Sequence, residues 1–310
     1  ALAAALFAPH VVWEAANGWP SAEFIANAAA TKNAPVTFLS FLGGQIVLLH
    51  PLALPLWLAG LVALLVAAWL ARVRALGLGY LATFALLLIQ RGKVYYLAPY
   101  YPVLFAAGAL ALERLAARPR LGWTLPAATV LYAAAGIAVL PLALPVLPVE
   151  TFLAYSQAIG IEEPRTERSP RGALPQLYAD MHGWPEMVDT VARVAGQLPA
   201  DQRARAVVLV RNYGEAGAIE FLGRPRGLPR AIAGHNNFWL WGPGDLRADD
   251  TVIAVGLTRE QLLTAFSAVE RVDTTHCQWC MPYENDLPVH IARGLTAPLD
   301  DVWARLKRFM

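Results

Sequence analysis

Four short stretches of this chain combine residue types that can do chemistry. Residues 91–102 read RGKVYYLAPYYP. Here Arg91 and Lys93 stand among Tyr95, Tyr96, Tyr100 and Tyr101, a set that suits an anionic lipid headgroup, and a lysine ammonium is a compact point charge matched to a phosphate. The same residues also describe a snorkelling Lys/Arg pair within an aromatic belt. Residues 235–244 read HNNFWLWGPG. His235, Asn236, Asn237, Trp239 and Trp241 are candidate sugar or acceptor contacts, because indoles stack on the apolar face of a sugar and amides pair with its hydroxyls. The alternative is a loop whose amides satisfy their own backbone while the indoles bury.

Residues 276–280, HCQWC, carry the chain's two cysteines. Cys277 and Cys280 are close enough in sequence to meet the ~4.4–6.8 Å Cα separation of a disulfide, and a local bridge is expected on an oxidising side of a membrane. A zinc site wants four ligands, and only His276 and His290 could join them, so no metal is assigned. Residues 212–218, NYGEAGA, open a helix after a strand, where backbone N–H groups can receive an anion. Neither GxGxxG nor GK[ST] is present, which weighs against a nucleotide. His10, His50 and His182 have no visible partners.

The elements that must position these residues fall into two solvents. Of 310 residues, 57% are apolar and 15% charged, with mean hydropathy +0.43, which excludes an ordinary soluble globule. Residues 1–150 hold only 8 Lys/Arg and 4 Glu, whereas the remainder holds 17 basic and 19 acidic residues. The net charge of +2 is too small and too dispersed for a nucleic-acid partner. A membrane helix needs ~20 apolar residues. Residues 49–70, 75–90, 94–112 and 122–149 qualify, with Pro126, Pro141, Pro145 and Pro148 kinking the last or ending it early. Residues 34–48 are expected along the outer surface, amphipathic or re-entrant, and Trp13, Trp19 and Trp57 fit an interfacial belt.

Arg72, Arg74, Arg114, Arg118 and Arg120 flank the spans on one side, against Arg91 and Lys93 on the other. The positive-inside rule places the first group in the cytoplasm, and Lys93 with everything after Glu150 outside. Past a Pro- and charge-rich connector at 150–172, residues 206–210, 251–255, 268–272 and 288–291 read as strands. Between and around them, 187–198, 215–221, 259–266 and 299–309 have helical spacing. The expectation is a polytopic α-helical membrane segment (1–149), the connector, and a small extracytoplasmic α/β domain (173–310) with a mostly parallel sheet.

The run GKVYYLAPYYPVLFAAGALALERL resembles the Gly-Lys, Tyr and Pro signature in the later membrane helices of family 39 glycosyltransferases. PHVVWEAANGWPSAEF and GGQIVLLHPLALPLWLAGL look like bacterial members of the same C-type group. The likeness runs over essentially the whole chain. It implies transfer of a sugar from a polyprenyl-phosphate donor to an envelope lipid, polysaccharide or protein acceptor at the outer face of the cytoplasmic membrane. It also implies lipid phosphate held by Lys93, with Arg91 and Tyr96 assisting. No cofactor is certain; a divalent metal is compatible with the family, but nothing in the sequence indicates one.

The family's base is an Asp in an early external loop, yet residues 1–150 contain no Asp. The sequence, which starts at Ala1, is therefore expected to be a fragment whose catalytic loop lies upstream and which is inactive alone; Glu14 and Glu23 are weak substitutes. A competing class is a non-catalytic, membrane-anchored module that binds an envelope glycan. A transporter is disfavoured, because no span carries a central ionisable residue.

Overall fold

Short β-branched runs and long apolar helices need different neighbours, and they segregate. In the computed structural model, which describes residues 2–160 and 167–310, the chain divides into two units, Ala34–Thr166 and the pair of segments Ala1–Asn33 and Glu167–Met310. Residues 1–33, counted on sequence with the membrane helices, thus group by contact with the C-terminal part.

The sheet unit begins with α1 (Leu2–Ala16) and α2 (Pro20–Asn27). These are tied to the C-terminal part at several points. Asn27 Nδ2 donates to the Phe309 carbonyl at 2.8 Å, and Lys307 Nζ lies 2.7 Å from Glu23. The Arg168 amide donates to the Lys32 carbonyl, beside an antiparallel bridge between Asn33 and Glu167.

Five strands follow: β1 (Val207–Val210), β2 (Ala231–Ala233), β3 (Val252–Val255), β4 (Phe266–Thr274) and β5 (Pro288–Leu295), in the order β2-β1-β3-β5-β4. β1 pairs parallel with β2 and β3, while β5 pairs antiparallel with β3 and β4. The sheet is therefore half antiparallel, not mostly parallel. β4 returns to β5 through the 275–287 loop with no α-helix to carry a crossover, so the two pair antiparallel, and β5 then lies antiparallel beside β3 as well. β2 was not expected, since three residues are too few to show a period.

The central strands are apolar on both faces and are covered on both. Val208, Val210, Ile253 and Val255 pack with Val188, Val191 and Val194 of the helix Trp184–Gln197. Leu209, Val252 and Ala254 pack with Val302 and Trp303 of the helix Leu299–Leu306. β4 lies at the edge and exposes Glu270 and Arg271, charges that discourage edge-to-edge pairing.

The helical unit contains α3 (Phe38–Leu48), α4 (Leu54–Val66), α5 (Arg74–Ile89), α6 (Tyr101–Ala116), α7 (Thr124–Ala143) and α8 (Val149–Ile159). Among the described residues, three helical stretches are long and apolar enough to cross a membrane: Ala68–Ile89, Val94–Ala116 and Thr124–Ala143. These mark a membrane-embedded protein. The span expected at 49–70 is shorter, a helix from Pro51 to Val66 that ends at an extended Ala67, and the 34–48 stretch forms a separate helix, Phe38–Leu48, that meets it at a bend of 92°, the geometry of a broken span or a re-entrant piece. His50 at φ 77° and Pro51 break the helix there. The last span stops at Ala143 rather than 149, just ahead of Pro145.

Two glycines bring α4 and α6 into backbone contact. A Cβ on Gly60 would lie 1.9 Å from the Leu104 carbonyl oxygen, and one on Gly108 would lie 2.1 Å from that of Leu56. Small residues at such a crossing replace the hydrophobic drive that lipid cannot supply. Around this contact Phe41, Trp57, Leu64, Tyr101 and Leu104 are buried. Trp57 is thus a core residue, its ring edge-on to Tyr101, rather than part of an interfacial belt. α7 buries none of its residues and exposes Val130, Leu131 and Ile137, the surface a lipid-facing helix presents. Of the expected connector, 150–159 belongs to α8, 161–166 lie outside the described residues, and 167–172 join the sheet unit.

Candidate functional site

In the helical unit, α5 ends at Ile89 and a 3-10 helix, Val94–Tyr100, begins after a tight turn. The Gly92 amide donates to the Leu87 carbonyl at 2.7 Å, and Arg91 takes φ 53°, so the turn presents Arg91 and Lys93 between two apolar stretches. Lys93 Nζ lies 5.9 Å from the Tyr95 ring centre, and Tyr95 meets Tyr96 edge-on at 5.0 Å. Tyr95 and Tyr96 are exposed. The other two tyrosines of the motif turn inward. Tyr100 shares a hydrogen bond with Thr83 at 3.0 Å; Tyr101 donates to Gln45 at 2.6 Å, and Gln45, fully buried, donates to the Val94 carbonyl. The motif thus splits by physical role. Arg91, Lys93, Tyr95 and Tyr96 form a cationic and aromatic edge, and Tyr100 and Tyr101 lock the helices behind it.

The sheet unit holds a cavity of about 590 Å³. One wall is Trp13 and Phe24, from α1 and α2, with His10, Glu14 and Ser21 between them. The facing wall is Asn236, Asn237, Phe238 and Trp241, closed by Tyr213 and Phe309. Glu14 is buried to 4% exposure. Its carboxylate accepts the Ser21 amide at 3.2 Å and the Ser21 hydroxyl, and His10 Nε2 stands 3.6 Å away. By accepting the Ser21 amide, Glu14 satisfies one of the N–H groups left unpaired at the start of α2. Of the five residues expected at a sugar, Asn236, Asn237 and Trp241 line this cavity.

His235 and Trp239 stand behind it. His235 Nε2 bonds the Met310 carbonyl at 3.0 Å, and the Tyr213 amide donates to Nδ1 at 3.4 Å. Burial pushes its pKa down to about 4, which leaves a neutral imidazole. Trp239 and Trp303 exchange indole N–H bonds with each other's carbonyls at 2.9 and 3.0 Å. Glu23, considered as a base, is instead the partner of Lys307. The wall contributed by His10, Trp13, Ser21 and Phe24 was not legible, because its distance in sequence from residue 236 hides the contact. The only sequence trace is a polar set within an apolar helix start.

The NYGEAGA segment is already satisfied internally. Asn212 Oδ1 accepts the Gly214 and Glu215 amides, and Glu215, fully buried, accepts the Arg211 amide and guanidinium. No donor is left for a phosphate at this helix start. Asn212 and Arg211 also reach the 275–287 loop, at Glu284 Oε1 (2.8 Å) and the Tyr283 carbonyl (2.6 Å). Burial beside Glu215 pushes Glu284 up to about 8, and burial raises Glu215 as well, so the pair retains a proton at neutral pH.

The same loop carries the cysteines, and here the expected disulfide is corrected: both thiols are free. The Cys280 amide donates to Cys277 Sγ at 3.1 Å, and Cys280 Sγ donates to the Cys277 carbonyl at 3.5 Å. Burial, and then the neighbouring Cys277 thiol, raise the Cys280 thiol pKa. Among the described residues, no group of three or more His, Cys, Asp or Glu side chains could hold a metal ion.

The structure therefore defines a membrane-embedded protein with a mixed, helix-covered five-stranded sheet unit. Compared with protein-family models, with curated proteins and with solved structures, the chain matches none.

Proposed function

We propose that this chain serves sugar transfer from a polyprenyl-phosphate donor at the outer face of the cytoplasmic membrane, as its resemblance to C-type family 39 glycosyltransferases implies. The observation that carries the reading is the turn at 91–96, where Arg91 and Lys93 meet exposed tyrosines at the junction of two apolar helices. A lipid phosphate at that depth gains charge-assisted contacts where water is scarce, and neutralising it helps the lipid phosphate depart when an acceptor displaces it from the anomeric carbon. Envelope lipid, polysaccharide or protein can be the acceptor. Tyr96 serves as a headgroup contact. The arginine count places Arg118 in the cytoplasm and the sheet unit outside.

Lys93→Ala in the full-length enzyme, reconstituted with a lipid-phosphate sugar donor, should raise the donor KM by about 10- to 100-fold, the worth of a charged hydrogen bond. Lys93→Arg should recover part of it. Unchanged donor kinetics for the alanine variant would remove the assignment. In a cysteine-free background, a single cysteine at Arg168 should react with an impermeant reagent in intact cells and one at Arg118 should not; the reverse pattern would overturn the orientation.

A second reading, a membrane-anchored module that binds an envelope glycan without turning it over, is favoured by one observation. Both Glu14 oxygens accept a hydrogen bond from Ser21, which holds the cavity's carboxylate in place as a hydrogen-bond acceptor for a ligand. Donor turnover by the full-length protein separates the two.

A further inference from the structure

We propose that the cavity of the sheet unit is a binding site for a neutral saccharide, with Trp13 and Trp241 as stacking faces and Asn237 and Glu14 as hydroxyl partners. Its size, about 590 Å³, lies within the ~300–1,000 Å³ of small-molecule sites and leaves room for a short oligosaccharide.

The lining chooses the ligand chemistry. Its side chains include no Lys or Arg, and Glu14 is its one carboxylate. A phosphate, sulfate or nucleotide would meet no Lys or Arg there, only His10, which already stands 3.6 Å from Glu14, and would face that buried carboxylate. Aliphatic side chains are nearly missing as well: apart from Leu240 and Pro20, the apolar wall is made of rings. An acyl chain prefers a flexible aliphatic sleeve, whereas the C–H face of a pyranose packs on flat aromatic faces. Trp241 is 58% exposed and Trp13 42%, and neither indole N–H has a partner among the described residues. Two residues away, Trp239 spends its N–H on the Trp303 carbonyl. Trp239 is thus a structural indole, whereas Trp13, stacked with His10 at 6.2 Å, and Trp241, edge-on to Phe238 at 4.7 Å, keep their N–H groups unused among the described residues.

The polar groups are placed and only partly used. Asn237 is exposed, and its carboxamide has no partner among the described residues, so both its donor and its acceptor face the cavity's ligand. Each Glu14 oxygen accepts one bond from Ser21 and keeps a lone pair for a sugar hydroxyl. The turn that presents Asn237 is held under strain. Asn236 has φ 51° and ψ −131°, a conformation costly for any residue with a side chain. It is kept there by its own amide, which accepts the Met310 amide at 3.1 Å and donates to the Met310 carbonyl at 3.2 Å. Such strain, fixed by surrounding bonds at a cavity wall, preorganises a site before a ligand arrives.

The test is titration of the full chain in detergent or nanodiscs with a panel of neutral disaccharides, followed by calorimetry and tryptophan fluorescence. Glucose 1-phosphate and choline serve as contrasting probes. Saturable binding of at least one neutral disaccharide, weakened about tenfold or more by Trp241→Ala and about fivefold by Asn237→Ala, is expected. Trp241 is exposed, so its truncation leaves the fold intact, and an unchanged circular dichroism spectrum verifies this. The same binding should be unchanged in Lys93→Ala. No saturable binding of any neutral disaccharide, binding indifferent to both cavity substitutions, or preference for glucose 1-phosphate or choline would overturn the proposal. So would Trp241-dependent binding to lipid vesicles in the absence of sugar binding. Loss of donor use in Lys93→Ala alongside absent disaccharide binding would remove only this inference. Disaccharide binding alongside unchanged donor kinetics would remove only the donor assignment.

Discussion

The C-terminal tail is the piece on which the cavity depends, and Gly234→Ala tests that dependence. Gly234 ends β2 against the tail, and a Cβ there would lie 2.0 Å from the Leu306 carbonyl oxygen and 2.7 Å from both the Leu306 carbonyl carbon and its Cβ. Ordinary contact begins at 3.4 Å, so the tail backbone must retreat by about 1.4 Å, more than packed backbone gives freely. The bonds at stake are known. Arg308 N–H donates to the Gly234 carbonyl at 2.8 Å, Asn236 N–H donates to the Arg308 carbonyl at 3.0 Å, and His235 and Asn236 hold both polar groups of Met310.

Losing two to four of these at ~1 kcal/mol each puts the local cost at about 2–4 kcal/mol. Amide hydrogen exchange in the detergent-solubilised chain reads this directly. Residues 234–236 and 306–310 should exchange about 30- to 700-fold faster, while the core of β3 keeps its protection. Saccharide binding should weaken in parallel as Phe309 leaves the wall. Exchange within about threefold of the parent at 306–310 would show that the tail is not clamped by this glycine, and the reasoning from close approach would fail.

In the helical unit, Gly60→Ala or Gly108→Ala should separate α4 from α6 and lower the thermal midpoint in detergent by an amount worth at least ~2 kcal/mol. Gly43→Ala, with nothing within 4 Å of the added carbon, should leave it unchanged. Two titrations give opposite slopes in the sheet unit. His235, held neutral with its pKa pushed down to about 4, contributes stability that is full above about pH 6.5 and lost as pH falls through 4. Glu284, pushed up to about 8, contributes stability that is full below about pH 4.5 and lost as pH rises through 8. Exchange protection of β1 should therefore decline from pH 6.5 to 8.5 in the parent and stay level in Glu284→Gln; parallel declines would exclude Glu284 as the source. Cys277, half-buried, should react with a thiol reagent well before Cys280, whose thiol is buried and raised in pKa. Equal rates in the folded chain would contradict the two environments.

Composition was enough for the broad division, because solvent acts on every residue at once. Twelve charges in the first 150 residues mark lipid, and VVLV and VIAV mark strands buried on both faces. Pro145, which disfavours helix at the residue before it, marks the end of α7 after Ala143, although Pro141 lies within the helix. Arg91 and Lys93 were legible as an interfacial pair, since their spacing within one turn is local. Tertiary structure decided what depends on partners distant in sequence. It ended the span expected at 49–70 at Val66, bent it by 92° against Phe38–Leu48, buried Trp57, and turned Tyr100 and Tyr101 away from the headgroup edge. It withdrew His235 and Trp239 from a motif that reads as five equivalent contacts, and brought His10, Trp13, Glu14 and Phe24 to the three that remained. Alternation and composition report a residue's solvent; they carry no record of which distant segment will fill the other side of a wall. That was fixed by the tail, where a glycine without a Cβ lets residues 306–310 lie against β2 and Asn27 and Lys307 then clasp the N-terminal helices.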